Sequence, residues 1–395
     1  MIGITKLFCG TATPGDALRY GRKTGKMPAH LLQFAQDKKP IVVWNCTRKC
    51  NLNCIHCYSD SENKDYPNEL TTEEAKKLIT DLADFKVPVF LFSGGEPLIR
   101  EDIFELAAFA KERNIRPVLS TNGTLITLDV AKRLRAAEFG YVGISLDGIG
   151  LNNDKFRGKA GAFQDAMRGF EHCVAVGQKV GLRLTLTKQN YRDLPAIFDF
   201  IEEEKINRAC FYHLVYCGRG TDMVQDDLTH TETRTAVDLI IERTLDFHNR
   251  GLEKDILTVD NHTDGPYLYL RLLKENPARA EEVMQLLRWN GGNSSGIGIA
   301  DIDNQGYVHP DQFWVQHTFG NVRDRKFGEI WMDTSQPILA GLKNRKPLLK
   351  GRCAQTNCKW IEICNGNFRA RAEAVFKDPW MEDPACYLTD DEIRK

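Results

Sequence analysis

The sequence lacks any apolar run of the roughly 18 residues that a membrane-spanning helix needs, and Met1 to Gly10 lacks the apolar stretch of a secretory signal. These absences predict a cytoplasmic protein with no membrane partner. Charge of one sign is missing too: 53 Lys and Arg stand against 54 Asp and Glu, for a net charge of −1. Such a balance argues against a large nucleic-acid footprint, so any anionic ligand must be met locally. Internal repeats and low-complexity tracts are also absent. With 42% hydrophobic and 27% charged residues over 395 positions, the chain has the composition of a globular protein with a sizeable core.

Cysteine is plentiful, with twelve in the chain. A cytoplasmic compartment keeps thiols reduced, so metal or cluster ligation explains them better than disulfides do.

Apolar runs alternate with helical patterns through the first half of the chain. Strands are predicted at Ile41–Asn45, Val87–Phe92, Arg116–Ser120, Tyr141–Leu146, Leu182–Leu186 and Ala209–Leu214. Helices are predicted at Thr72–Asp84, Glu101–Arg113, Asp129–Ala137, Ala162–Val176 and Leu194–Glu204, the first with a capping box from Thr71 to Glu74. Six strands alternating with helices predict an α/β fold, a partial (β/α)6 barrel of parallel strands with its chemistry on the loops at their C-terminal ends. The expected division is 1–40, an N-terminal segment; 41–228, the barrel; 229–295, a helical connection with helices at Thr231–Asn249 and Pro266–Trp289; and 296–395, a C-terminal domain. That last part opens with a hairpin, Ile297–Ile302 and Tyr307–His309, and carries a cysteine-rich tail from Cys353.

Cys50, Cys54 and Cys57 lie on one short loop after the first strand. A [4Fe–4S] cluster normally takes four cysteines, so three would leave one iron open to the amino and carboxylate groups of a small molecule. Zinc would need a fourth ligand nearby, and a redox pair of Cys54 and Cys57 would leave Cys50 unexplained. Cys46 does not fit the spacing and reads as a small buried residue. Ser93-Gly94-Gly95-Glu96-Pro97 follows the second strand, Ser120-Thr121-Asn122-Gly123 the third and Ser145-Leu146-Asp147-Gly148 the fourth. Paired glycines allow a ligand to approach the backbone closely, and the other loops have the composition of polar turns.

The pattern C-x3-C-x2-C with an aromatic residue directly after it resembles the signature of the radical S-adenosylmethionine (SAM) superfamily. The resemblance implies that Cys50, Cys54 and Cys57 hold a [4Fe–4S] cluster whose open iron binds the methionine end of SAM. One electron then yields a 5′-deoxyadenosyl radical that abstracts hydrogen from substrate. It implies further that Gly94, Gly95 and Glu96 form the motif that meets the SAM amino group, and that Ser145 and Asn122 hold its carboxylate or ribose. Arg183 is a candidate carboxylate partner or a buried structural arginine. In Tyr212–Gly220, His213 or Arg219 is a candidate to face substrate, with a core histidine as the plainer reading of His213.

Near the C-terminus Cys353-x4-Cys358-x5-Cys364 is followed by Cys386. Four thiolates there suit zinc or a cluster. The spacing is similar to the auxiliary-cluster tail of the SPASM/Twitch branch of the superfamily, which implies a second [4Fe–4S] cluster for electron transfer or substrate anchoring. A low-potential electron donor such as ferredoxin or flavodoxin is the implied partner. Larger SPASM domains have a cysteine where this chain has Val308-His309-Pro310-Asp311, so one auxiliary cluster is expected. His309 and Asp311 are either substitute ligands, substrate contacts or solvated turn residues. Cys9, Cys173, Cys210 and Cys217 read as structural.

Gly10 to Arg22, Val42–Asn45 and His309–Trp314 resemble enzymes of modified-tetrapyrrole synthesis, and this likeness covers nearly the whole chain. It implies haem biosynthesis by removal of the two acetate side chains of 12,18-didecarboxysirohaem to give Fe-coproporphyrin III. Oxidative decarboxylation of Fe-coproporphyrin III propionates or a step of haem d1 formation is the alternative, and a peptide-modifying maturase stands further back. A non-catalytic iron–sulfur or zinc scaffold would leave Gly94–Glu96 and Ser145 without a task. A tetrapyrrole with several carboxylates calls for cations, with Arg19, Arg22, Lys23, Arg48 and Lys49 as candidates unless they are ordinary surface charges. His309 is the candidate axial ligand of its iron.

Overall fold

The computed structural model describes residues 1–13, 15–20 and 39–394. Arg22 and Lys23, two of the candidate cations, lie outside the described residues. Among those residues ten strands form a single sheet in the order β1-β8-β7-β6-β5-β4-β3-β2-β9-β10. The predicted six strands are present as β2 (Ile41–Thr47), β3 (Val89–Gly94), β4 (Arg116–Thr121), β5 (Val142–Ser145), β6 (Val180–Leu186) and β7 (Arg208–His213), each pairing in parallel with the next. Six of the seven residues of β2 are buried, as expected of a parallel strand covered on both faces.

The helix Thr72–Asp84 shows why these segments fold as they do. Thr71 caps its first turn while Glu74 reaches back to the Thr71 N–H. Ala75, Leu78, Ile79 and Leu82 repeat at helical spacing and bury one face. The result is the expected partial barrel, with its loops gathered at the C-terminal strand ends.

Three features differ from the sequence expectation. A seventh parallel strand, β8 (Asp255–Val259), lies within the stretch read as helical, pairs with β7, and is buried along all five residues. A short apolar run of this kind gives no periodicity that separates strand from helix. The two-residue strand β1 (Ile2–Gly3) runs antiparallel to β8 and closes that edge. The predicted helix Pro266–Trp289 is two helices, Asp264–Glu275 and Pro277–Asn290. Pro277 cannot continue the first helix, and the Asn276 side chain caps the second at 3.1 Å from the Arg279 N–H.

The expected hairpin forms as β9 (Ile299–Ile302) and β10 (Val308–His309). Strand β9 pairs in parallel with β2, Ile41 opposite Ile299, so the sheet runs without a break from the barrel into the C-terminal region. No helix among the described residues is long and apolar enough to cross a membrane.

Candidate active site

The loops at the C-terminal strand ends enclose a cleft of about 1050 Å³, open mouth included. Cys50, Cys54 and Cys57 form one wall, and Gly94, Gly95, Asn122, Ser145 and Arg183 are all in its lining. The sequence therefore selected residues that the fold brings together from five separate strand ends.

The cysteine loop is held through its backbone. The Cys50 N–H donates to Glu62 O at 3.0 Å. A Cβ on Gly94 would lie 2.2 Å from Thr47 O, and one on Gly95 would lie 2.2 Å from Lys49 O. The N–H groups of Gly95 and Glu96 donate to those same carbonyls, at 2.7 and 2.9 Å. Both glycines are thus required by the close approach of the cysteine loop. The Gly-Arg-Gly turn closes the other side: Gly218 sits against the carbonyls of Cys57 and Tyr58, and Arg219 donates to Cys54 O at 2.8 Å and to Asp60 at 2.9 Å. Arg219 clamps the cysteine loop, which corrects the expectation that it faces substrate.

The thiols are free and mostly buried. Burial pushes Cys50 up to about 12 and raises Cys54 as well, which favours the neutral thiol at both. Sulfur acceptors are nevertheless met by donors: Leu52 N–H lies 3.4 Å from Cys50 Sγ, Ser61 N–H 3.5 Å from Cys57 Sγ, and Arg157 3.6 Å from Cys54 Sγ. Three thiols with such donors, in a cleft with polar groups opposite, fit a cationic cluster that deprotonates its ligands on binding.

Glu96 is fully buried and points away from the cleft. It accepts from the Thr121 hydroxyl at 2.7 Å, the Asn122 N–H at 2.8 Å and the Leu98 N–H at 3.1 Å. Burial raises its pKa while these bonds oppose the rise. Glu96 therefore ties the β3 loop to the β4 loop. Asn122 donates to Asn51 Oδ1 at 2.8 Å, with Cys50 Sγ 3.9 Å away. Ser145 and Arg183 are neighbours in register across β5 and β6. Arg183 donates to the Tyr212 hydroxyl at 2.9 Å and to the Ser120 hydroxyl. Both partners are neutral, which leaves the guanidinium charge for an anion in the cleft.

Two residues of this wall went unnoticed in the sequence as functional candidates. Asp147 Oδ2 lies 3.1 Å from His56 Nε2 and forms an ion pair with Arg157 at 2.5 Å, and its Oδ1 accepts from the Thr185 N–H at 2.9 Å. Burial works against its charge, yet Arg157 and His56 hold its carboxyl well below the usual range. Asp147 lay in a loop that the sequence marked, whereas Arg157 had no spacing signal.

The geometry separates the alternatives left open for other residues. His213 lines the cleft but is tied to Asp264 at 2.9 Å. Arg19 pairs with Asp16 at 3.0 Å and lies 3.6 Å from Asp255, Arg48 pairs with Asp60 at 3.2 Å, and Lys49 with Asp65 at 2.6 Å. These cations serve nearby carboxylates, and the cleft's own arginines are Arg157 and Arg183. His309 is 2% exposed, hydrogen-bonds His317 O at 2.9 Å and faces Asp303 at 3.5 Å. It is outside the cleft lining, so neither an axial ligand nor a solvated turn residue describes it. Asp311 is equally buried, accepting from the Phe313 N–H at 2.9 Å.

A second cavity, of about 440 Å³, is lined by Cys353, Cys358, Cys364 and Cys386 together with Arg352 and Trp360. Burial pushes Cys353 up to about 12 and raises the other three thiols. Among the described residues no three His, Cys, Asp or Glu side chains converge on a single ion. The four thiols surround a space, a donor set that fits a polynuclear group.

The sequence profile of the Radical SAM superfamily matches residues 44–201, which hold the cysteine loop and the strands up to β6. The chain belongs to the radical SAM superfamily. Over 396 aligned residues it is 61% identical to Fe-coproporphyrin III synthase of Methanosarcina barkeri (strain Fusaro / DSM 804), covering 100% of this chain and 99% of the relative. Pre-heme d1 synthase of Dinoroseobacter shibae is 45% identical, over 89% of this chain and 87% of its own. Among solved structures, native anSMEcpe with bound AdoMet has a TM-score of 0.68 at 19% identity, covering 88% of this chain and 93% of its own. Streptococcus suis SuiB bound to precursor peptide SuiA has a TM-score of 0.70 at 19% identity, with coverages of 91% and 79%. At such identity these two structures establish the fold alone.

Proposed function

We propose that this enzyme acts in the cytoplasm on 12,18-didecarboxysirohaem, removing its two acetate side chains to give Fe-coproporphyrin III. The observation that carries the reading is full-length identity of 61% to an Fe-coproporphyrin III synthase, against 45% to a pre-heme d1 synthase and 31% to an AdoMet-dependent heme synthase. A [4Fe–4S] cluster with bound SAM supplies, on one-electron reduction, the 5′-deoxyadenosyl radical that abstracts hydrogen from substrate.

In this reading Cys50, Cys54 and Cys57 hold that cluster. Arg157 offers its charge to Cys54. The Gly94–Gly95 turn fixes the cysteine loop and offers backbone groups to the SAM amino end. Arg183 and Ser145, adjacent across two strands, face the SAM carboxylate and ribose, with Asn122 beside them. Glu96 positions Asn122 through its backbone. Cys353, Cys358, Cys364 and Cys386 hold a second [4Fe–4S] cluster, and a low-potential donor such as ferredoxin or flavodoxin delivers electrons.

The second reading, oxidative decarboxylation of Fe-coproporphyrin III, draws on the more distant relatives. Release of 5′-deoxyadenosine by the reconstituted enzyme, measured separately with each tetrapyrrole, separates the two. The proposal expects release to be stimulated by 12,18-didecarboxysirohaem, and stimulation by Fe-coproporphyrin III alone contradicts it.

A further inference from the structure

Asp260 follows the last residue of β8, at the C-terminal end of a strand that the sequence did not reveal. Its φ is +65°, a conformation that residues other than glycine adopt at some cost and that clusters at ligand sites. It lines the same cleft as Cys50, Cys54 and Cys57. The residue is 9% exposed, and its Oδ2 has no hydrogen-bond partner. A buried carboxyl oxygen without a partner is costly, and here it belongs to a group that borders the cleft.

The surroundings hold this backbone in place. Arg371 donates to Asp260 O at 2.6 Å, Asn261 donates to Ala385 O at 2.9 Å, and the His262 N–H donates to Asn367 Oδ1 at 2.7 Å. All three partners come from the region around the second cysteine set. The conformation is imposed from outside the strand, so its strain is a stable property of the assembled chain.

We propose that Asp260 is a substrate-binding residue whose carboxyl group donates a hydrogen bond to a carboxylate side chain of the tetrapyrrole. This inference rests on the reading of the substrate as a tetrapyrrole and deepens it. Tetrapyrrole acid groups need donors, and the cleft's arginines are already committed, Arg157 to Asp147 and Cys54 and Arg183, in the proposed reading, to the SAM carboxylate. Burial pushes Asp260 up to about 6, the Met1 amino group, Arg371 and Arg183 pulling the other way and Asp311 adding to the rise. Tyr212 and Cys217 complete the groups that face it. A substrate carboxylate placed against Asp260 is a further like charge, so the pair keeps one proton and shares it.

The test uses the holoenzyme, reconstituted without oxygen, and follows binding of Fe-coproporphyrin III by absorbance between pH 5.5 and 8.5, with no SAM and no reductant. The wild type is expected to lose affinity by about tenfold per pH unit between the pKa of free Asp260, about 6, and that of the bound pair. Asp260→Asn keeps a donor but cannot titrate, so it is expected to bind with that pH dependence removed. Asp260→Ala is expected to bind about 10- to 100-fold more weakly at pH 6, with its cluster absorbance unchanged. An Asp260→Asn profile identical to that of the wild type overturns the inference, as does undiminished binding by Asp260→Ala. If the wild type binds neither Fe-coproporphyrin III nor 12,18-didecarboxysirohaem at any pH, the substrate reading itself falls and takes the inference with it.

Discussion

The guanidinium of Arg157 lies 3.6 Å from Cys54 Sγ although 103 residues separate the two in sequence. Arg157 is the last residue of the short helix Leu151–Arg157, and Asp147 fixes its other nitrogen at 2.5 Å. A cation held at a ligand sulfur favours the thiolate and alters the electronics of whatever that sulfur binds.

Replacing Arg157 by Met should therefore lower the rate of SAM cleavage by about 10- to 100-fold, the range seen when partners of metal ligands are removed. The electron paramagnetic resonance signal of the reduced first cluster should shift as well. A rate loss with an unchanged signal would assign Arg157 a purely structural role. The check is a pairing of single-turnover deoxyadenosine formation with that spectrum.

Gly95→Ala places a methyl group 2.2 Å from Lys49 O, a backbone atom that cannot step aside without moving the cysteine loop. The expected cost is about 1–3 kcal/mol of stability, together with a loss of iron from the first site. Iron and sulfide per chain, and the thermal midpoint under argon, measure both.

The two cysteine sets should behave independently. Simultaneous Ala replacement of Cys50, Cys54 and Cys57 is expected to abolish SAM cleavage while roughly half the iron remains, because the second cavity is built by other residues. Replacement of Cys353, Cys358 and Cys364 is expected to leave the first cluster in place. Substantial SAM cleavage by the first triple variant contradicts the assignment.

At the barrel's outer face, Glu74 binds Arg323 at 2.7 Å and caps its own helix. The Arg323 hydrogen bond, followed by the Thr71 N–H, lowers its pKa to about 2. Its folded pKa is thus depressed relative to about 4.3 in an unfolded chain. The stability it contributes is fully present above that value and fades as the pH falls through about 2. Because the pair is partly exposed, the effect is about 1 kcal/mol or less. Denaturant titrations of Glu74→Gln and wild type should differ at pH 6 and converge near pH 2.

Much of the cleft was legible in the sequence because its components are dense in sequence. Three thiols within eight residues, and two glycines after a strand, are local patterns that need no knowledge of the fold. The physical role of those glycines was not legible, since their need comes from carbonyls of Thr47 and Lys49, more than 40 residues earlier. Arg157 and Asp147 were invisible as a pair because an arginine near an aspartate in sequence is commonplace. Asp260 was hidden for a different reason. Its strand is five buried residues between two helical stretches, and only the pairing with β7 and β1 makes it a strand. Arg19, Arg48 and Lys49 pair with carboxylates within 20 residues of them, because a cation is satisfied locally before it serves a ligand.

The most direct test of the central claim is an anaerobic reaction of the reconstituted enzyme with dithionite, SAM and 12,18-didecarboxysirohaem, followed by mass spectrometry of the tetrapyrrole and of 5′-deoxyadenosine. Loss of both acetate side chains from the tetrapyrrole is expected, with 5′-deoxyadenosine formed alongside. Deoxyadenosine with the tetrapyrrole unchanged would contradict the substrate, and no deoxyadenosine at all from an enzyme with its full iron content would contradict the radical chemistry.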